Sequence, residues 1–174
     1  IGDNFDIDFV AHEMGHQLGA AHTFSYAVEG SGVNMEPGSG STIMGYAGIT
    51  PYDVAPHSID TFHAGSINQI QTNMTGKTCD VETPITHGTP VVSAGADFTV
   101  PRSTPFMLTG SATDTGGTAS MTYQWEQYDD ATGTTLGTGS PAVTTKTTGP
   151  NFRSYLPTTS PSPIKQLEHV QNIE

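Results

Sequence analysis

Hydrophobic positions in residues 1–80 recur at helical rather than strand spacing. In NFDIDFVAHEMGHQLGA, Phe9, Val10, Met14 and Leu18 supply apolar surface at roughly that period. Asn and Asp residues stand ahead of them, where they suit the positive end of a helix, and Gly19 offers a C-terminal stop. VEGSGVNMEPGSGST follows without periodicity and predicts a loop. After IMGYAGI and the proline-bracketed TPYDVAP, Ile59, Phe62, Ile67, Ile70 and Met74 share one helical face. They predict a second helix over 58–74, with Ser58 as N-cap and Asp60 in the first turn.

The pattern changes beyond Thr83-Pro84. Short β-type runs alternate with turn residues from 90 to 160, among them DFTV, PFMLTGSA and MTYQWEQYD. In the last, Met121, Tyr123 and Trp125 alternate with Thr122, Gln124 and Glu126, as in a strand with one buried face. These runs predict a small β-sandwich. The expected class is α+β: a helical unit over 1–83, an all-β module over 84–163, and a tail over 164–174.

Charge narrows the possible partners. Seventeen acidic residues against five basic ones give a formal charge of −12, a field that repels phosphate backbones and anionic membrane surfaces. Nucleic acid is therefore excluded as a partner, and no run approaches the roughly 18 apolar residues of a membrane span. An acidic, lysine-poor, Thr/Ser/Gly-rich chain fits an extracellular protein. Ile1, in place of an initiator methionine, leads to the expectation of a piece of a longer protein. Cys79 is the single cysteine, so an internal disulfide is excluded.

The chemistry is concentrated in HEMGHQLGAAH, residues 12–22. Four residues along a helix turn through about 400°, so His12 and His16 project from nearly one face, one turn apart. Two imidazoles so placed can hold one metal ion, and Zn²⁺ favours nitrogen ligands at about 2.0–2.1 Å. Glu13 lies beside that face, within reach of a water on the metal without being a ligand. His22 would point about 120° away if the helix continued. The chain must therefore fold back, and Gly19 is the residue there that takes a left-handed conformation at little steric cost. HExxH alone is a weak signal; the added Gly19 and His22 narrow it sharply.

The extended motif HExxHxxGxxH resembles the zinc signature of the metzincin metalloproteases, which a Met-turn follows. STIMGY supplies the corresponding methionine, Met44. The likeness implies that Met44 forms a hydrophobic floor beneath the metal and that the Tyr46 hydroxyl approaches zinc or the reacting oxyanion. From VAHEMGHQLGAAHTF through EPGSGSTIMGYAGI to FHAGSINQI, about residues 5–80, the chain is similar to bacterial reprolysin-like (adamalysin-type) enzymes. Some relatives carry a cysteine where this chain has Thr50, which leaves Cys79 without the family's partner. Metzincin domains also place a β-rich subdomain before the zinc helix. By that likeness the chain holds the lower half of a catalytic domain, is inactive or poorly folded alone, and exposes apolar helix faces.

The implied activity is zinc-dependent hydrolysis of protein or peptide substrates, with His12, His16 and His22 as ligands and Glu13 as general base. The competing class is a non-catalytic secreted adhesion or binding protein with a structural zinc site. Glu13 argues against it, because a structural site needs no base and fills its fourth position with a protein ligand. His57, His63, His87 and His169 share no ligand spacing and read as structural or solvent-exposed. Asp114 and the Asp129-Asp130 pair could help hold Ca²⁺, although turn chemistry also accounts for them. Tyr123 and Trp125 suit either a core or a sugar- or peptide-binding platform, and their stretch loosely resembles immunoglobulin-like or fibronectin-like modules.

Overall fold

The computed structural model describes residues 3–79, 81, 83, 88–101, 104, 106–118 and 120–162. The chain is α+β. Its first helix runs in three consecutive pieces: Asp3–Phe5, a π-helical stretch Asp6–Ala11, and an α-helix His12–Gln17. A π-helical stretch directly ahead of His12 was not legible in the periodicity. It turns Ile7 and Ala11 against the buried cluster of Ala20, Ile43 and Met44. Phe9, Val10, Met14 and Leu18, which the period groups together, remain on the exposed side.

The second helix is Ala64–Met74, shorter than the expected 58–74. His63 caps it, its Nδ1 accepting the Gly65 N–H at 3.1 Å. Ser58 is not the cap; its own N–H donates to Asp8 Oδ1 at 2.9 Å. The residues ahead of the helix are bonded to the neighbouring loop. Ile59 N–H donates to Ser41 O at 2.8 Å, and Ile43 N–H donates to Thr61 O at 3.0 Å. Backbone groups committed to that pairing cannot open a helical turn.

The Gly/Ser-rich loop forms no regular element beyond a Phe24–Glu36 bridge, yet residues 33–45 are all buried. It threads between the two helices as the centre of this half. The small side chains allow close approach: a Cβ on Gly38, which sits at φ +54°, would collide with the Tyr52 carbonyl.

Of the expected strands, only the end of PFMLTGSA enters one. Ser111–Thr113 pairs antiparallel with Val91–Ser93, with Val92 opposite Ala112. DFTV is not a strand, and MTYQWEQYD contributes a single bridge, Tyr123 to Thr158. Among the described residues there is thus one two-stranded sheet. The reason is visible in the hydrogen bonds. Gln127 Oε1 accepts from Asn151 N and Phe152 N at 2.7 and 3.0 Å, so a side-chain amide takes donors that a strand ladder would use. Further bonds run back to the first half. Ala131 N–H donates to Asn34 O at 2.9 Å, Gly38 N–H to Ser140 O at 3.1 Å, and Gly137 N–H to Ser25 O at 2.9 Å. Among the described residues no helix is long and apolar enough to cross a membrane.

Candidate metal centre

The His12–Gln17 helix carries His12 and His16 on one face, and the chain reverses immediately after it. Gly19 takes φ +99°, the left-handed region where a Cβ would be strained. Asn73 of the second helix closes the reversal, its Nδ2 donating to Leu18 O at 2.8 Å. The bend returns His22 to the other two imidazoles. One ligand atom from each histidine lies within 4.8 Å of the others.

Each imidazole is oriented by a bond on its Nδ1. His12 Nδ1 donates to Ile43 O at 2.6 Å, and His16 Nδ1 donates to Ala20 O at 2.8 Å. His22 Nδ1 meets the Glu29 carboxylate at 2.8 Å. A carbonyl or carboxylate oxygen only accepts, so Nδ1 carries a proton in each ring, and in the neutral imidazole Nε2 then keeps its lone pair. Two consequences point to a cation. His16 Nε2 and His22 Nε2 are 3.1 Å apart, so with both rings protonated on Nδ1 the pair calls for a shared proton or a metal ion between them. His12 Nε2 is buried without a hydrogen-bond partner, an arrangement that is costly unless something binds it. Tetrahedral bonds of about 2.0–2.1 Å put ligand nitrogens about 3.3 Å apart, close to the 3.1 Å between His16 and His22 and inside the 4.8 Å that bounds all three. The three residues thus fit a zinc ion. Burial holds the His12 imidazole below its ordinary pKa against the opposing pull of its Ile43 bond, and His16 and His22 push in the same direction as burial. The neutral, ligating form is favoured.

Met44 is fully buried, in the core formed with Ala20 and Ile43. Its sulfur lies against Gly15, between the two helical histidines, where any Cβ would strike it. Tyr46 stands beside the ligands, its ring centroid 5.3 Å from His12 and 4.7 Å from His22. Burial raises the phenol pKa, with Tyr26, Glu29 and Glu13 adding to the effect, so the hydroxyl stays protonated. Glu13 is exposed. A cavity of about 190 Å³ opens next to it, walled by His12, Tyr46, Phe9 and Ile49, with Asp8 at its edge.

The other polar residues separate from this site. Among the described residues no second group of His, Cys, Asp and Glu is close enough to share a metal. Asp114 accepts the Gly116 N–H at 2.6 Å, Asp129 accepts from Gln127 at 2.6 Å, and Asp130 accepts the Asn34 N–H at 2.8 Å. These are turn and loop bonds, and nothing in them supports calcium. His57 is exposed beside Asp8, and His63 is the buried helix cap. His87 and His169 lie outside the described residues. Cys79 is exposed and free. Tyr123 and Trp125 are half-buried along a cavity of about 370 Å³, together with Glu126 and Tyr128.

Sequence reading missed two carboxylates. Glu29 orients His22, and Glu36 is buried at the centre of the loop. Neither follows a spacing rule, since both meet their partners through loop geometry. A carboxylate in an otherwise small-residue loop was the available signal for Glu36.

No curated protein and no solved structure matches the chain. Residues 1–74 match the family model described as Metallo-peptidase family M12B, Reprolysin-like, and the three histidines lie wholly inside that matching stretch.

Proposed function

We propose that the protein is a zinc-dependent endopeptidase acting on protein or peptide substrates. The observation that carries the reading is the set of three imidazoles whose Nδ1 atoms are all engaged by oxygen acceptors, with one ligand atom of each within 4.8 Å of the others. The similarity of residues 1–74 to reprolysin-like metallopeptidases supports the same class.

His12, His16 and His22 would hold the ion. A zinc ion held there would supply Lewis acidity toward a scissile carbonyl and an attacking water. Glu13, exposed and lining the cavity beside His12, would take a proton from the attacking water and return it to the leaving amine. Tyr46, kept protonated by its surroundings, can donate a hydrogen bond to the oxyanion as it develops. The cavity beside His12 and Glu13 gives the substrate a place to lie. A structural zinc site would instead be closed by a fourth protein ligand, and only three grouped residues exist among those described.

The test pairs metal analysis with cleavage of an unstructured protein such as casein. Wild type and Glu13→Gln are both expected to hold one zinc per chain, while the variant loses about 10²–10⁴ in turnover. Undiminished turnover in the variant would remove Glu13 from its role, and a wild type without zinc would end the peptidase reading.

A further inference from the structure

Glu36 is a carboxylate only 1 % exposed, and among the described residues it joins no ion pair. Burying an unpaired anion is expensive unless donors surround it. Here five do. Oε1 accepts the Ser41 N–H at 2.9 Å, the Thr42 N–H at 3.1 Å and the Ser41 hydroxyl at 3.3 Å. Oε2 accepts the Thr23 hydroxyl at 2.6 Å and the Thr42 hydroxyl.

The two oxygens have different duties. Oε1 serves one short stretch of loop. Oε2 spans two separate stretches, each a single residue from a part of the metal centre. Thr23 follows His22 directly. Thr42 precedes Ile43, whose carbonyl orients His12, and Met44 comes next. The backbone runs the same way: Glu36 N–H donates to Thr23 O at 3.0 Å, and Thr23 N–H donates to Met44 O at 3.1 Å. Phe24, paired with Glu36 in the bridge, stacks on the His22 ring with centroids 4.6 Å apart.

We propose that Glu36 is a positioning residue of the metal centre, fixing the separation between His22 and the Ile43 carbonyl through its Oε2. The proposal rests on the zinc reading above. Groups that hold ligands in place from behind commonly set metal affinity by about 10–100-fold. A glutamine at this position separates the two duties. Its oxygen must stay with the two backbone N–H groups, which cannot reverse. Its nitrogen then faces the two threonine hydroxyls, which must turn to accept, and the charge-assisted brace between the stretches is lost.

The experiment measures zinc affinity by chelator competition and the visible spectrum of the cobalt-substituted protein. Wild type is compared with Glu36→Gln, Thr42→Val, Thr23→Val and Ser41→Ala. Glu36→Gln and both threonine variants are expected to bind zinc about tenfold more weakly, with shifted cobalt bands. Ser41→Ala removes a hydroxyl from the same carboxylate, but on Oε1, and is expected to leave both readouts unchanged. If Ser41→Ala moves them as much as Thr42→Val, Glu36 merely stabilises the loop and the proposal is overturned. Wild-type affinity and spectrum in Glu36→Gln overturn it as well. Should Glu36→Gln not fold, the two threonine variants decide by the same criteria. A wild type that binds no metal refutes the zinc reading itself, a result distinct from zinc binding that ignores Glu36.

Discussion

Two stretches of this chain share a vocabulary of glycine, serine and threonine and use it in opposite ways. Residues 33–45 are buried throughout, whereas Val91, Val92, Phe98, Phe106 and Met107 in the second half are all exposed. Small polar residues form an interior when something inside accepts their hydrogen bonds, and Glu36 does so in the first stretch. In the second, Asp114 closes its own turn by accepting from Gly116. Composition alone does not separate the two cases. An internal acceptor does.

The sharpest way to break this contrast is to remove apolar volume from each half. Met44 is fully buried against Gly15 and packed with Ala20 and Ile43. Met44→Ala is expected to cost about 3 kcal/mol, read from urea unfolding. Phe98 is 69 % exposed, and Phe98→Ala should stay within about 0.5 kcal/mol. Similar costs for the two would mean that the second half has a core of its own.

How far the sequence could be read follows the same division. His12, Glu13, His16, Gly19 and His22 were legible because a helix has a fixed pitch and a glycine marks where it can reverse. Met44 and Tyr46 were singled out through family likeness; the Met44 sulfur lies against Gly15 and the Tyr46 ring 5.3 Å from that of His12. The helix start at Ala64, in place of 58, was hidden because Ile59 and Ile43 bond to residues distant along the chain. The strands over 97–100 and 121–129 failed for a related reason. Alternation reports which side chains could face a core and is silent on whether the backbone finds a partner strand. Next to 121–129, Asn34 takes the Ala131 N–H and Gln127 takes the Asn151 and Phe152 N–H groups.

The halves are also joined, which the change of composition near residue 83 does not suggest. Asp130 accepts the Asn34 N–H at 2.8 Å, Glu126 accepts the Ala64 N–H at 2.7 Å, and the Ser41 hydroxyl donates to Ser154 O at 3.0 Å. Asp130→Ala would leave the Asn34 N–H without its acceptor, inside a loop that leads to Glu36. The expected loss is about 2 kcal/mol. Asp129→Ala, whose exposed carboxylate bonds to Gln127 among the described residues, should change stability by less than about 0.5 kcal/mol. Equal effects from the neighbouring pair would mean that residues 124–154 lie against the first half without supporting it.

The smallest expected effect concerns Lys146, in the second half. Its ammonium donates to Ser140 O at 2.8 Å and Pro150 O at 2.7 Å, and burial pushes its pKa from 10.5 down to about 8. Between those values the unfolded chain binds more protons than the folded one, so stability rises with pH across that window and is flat with respect to this group below it. Solvent screening keeps the gain under about 1 kcal/mol. Urea midpoints at pH 7 and pH 9.5, for wild type and Lys146→Met, isolate this contribution from other groups that titrate nearby. The wild type should gain on the variant as pH rises. A constant difference would mean that the two carbonyls solvate the charge as well as water does, and that the 140–150 loop carries no burial cost at all.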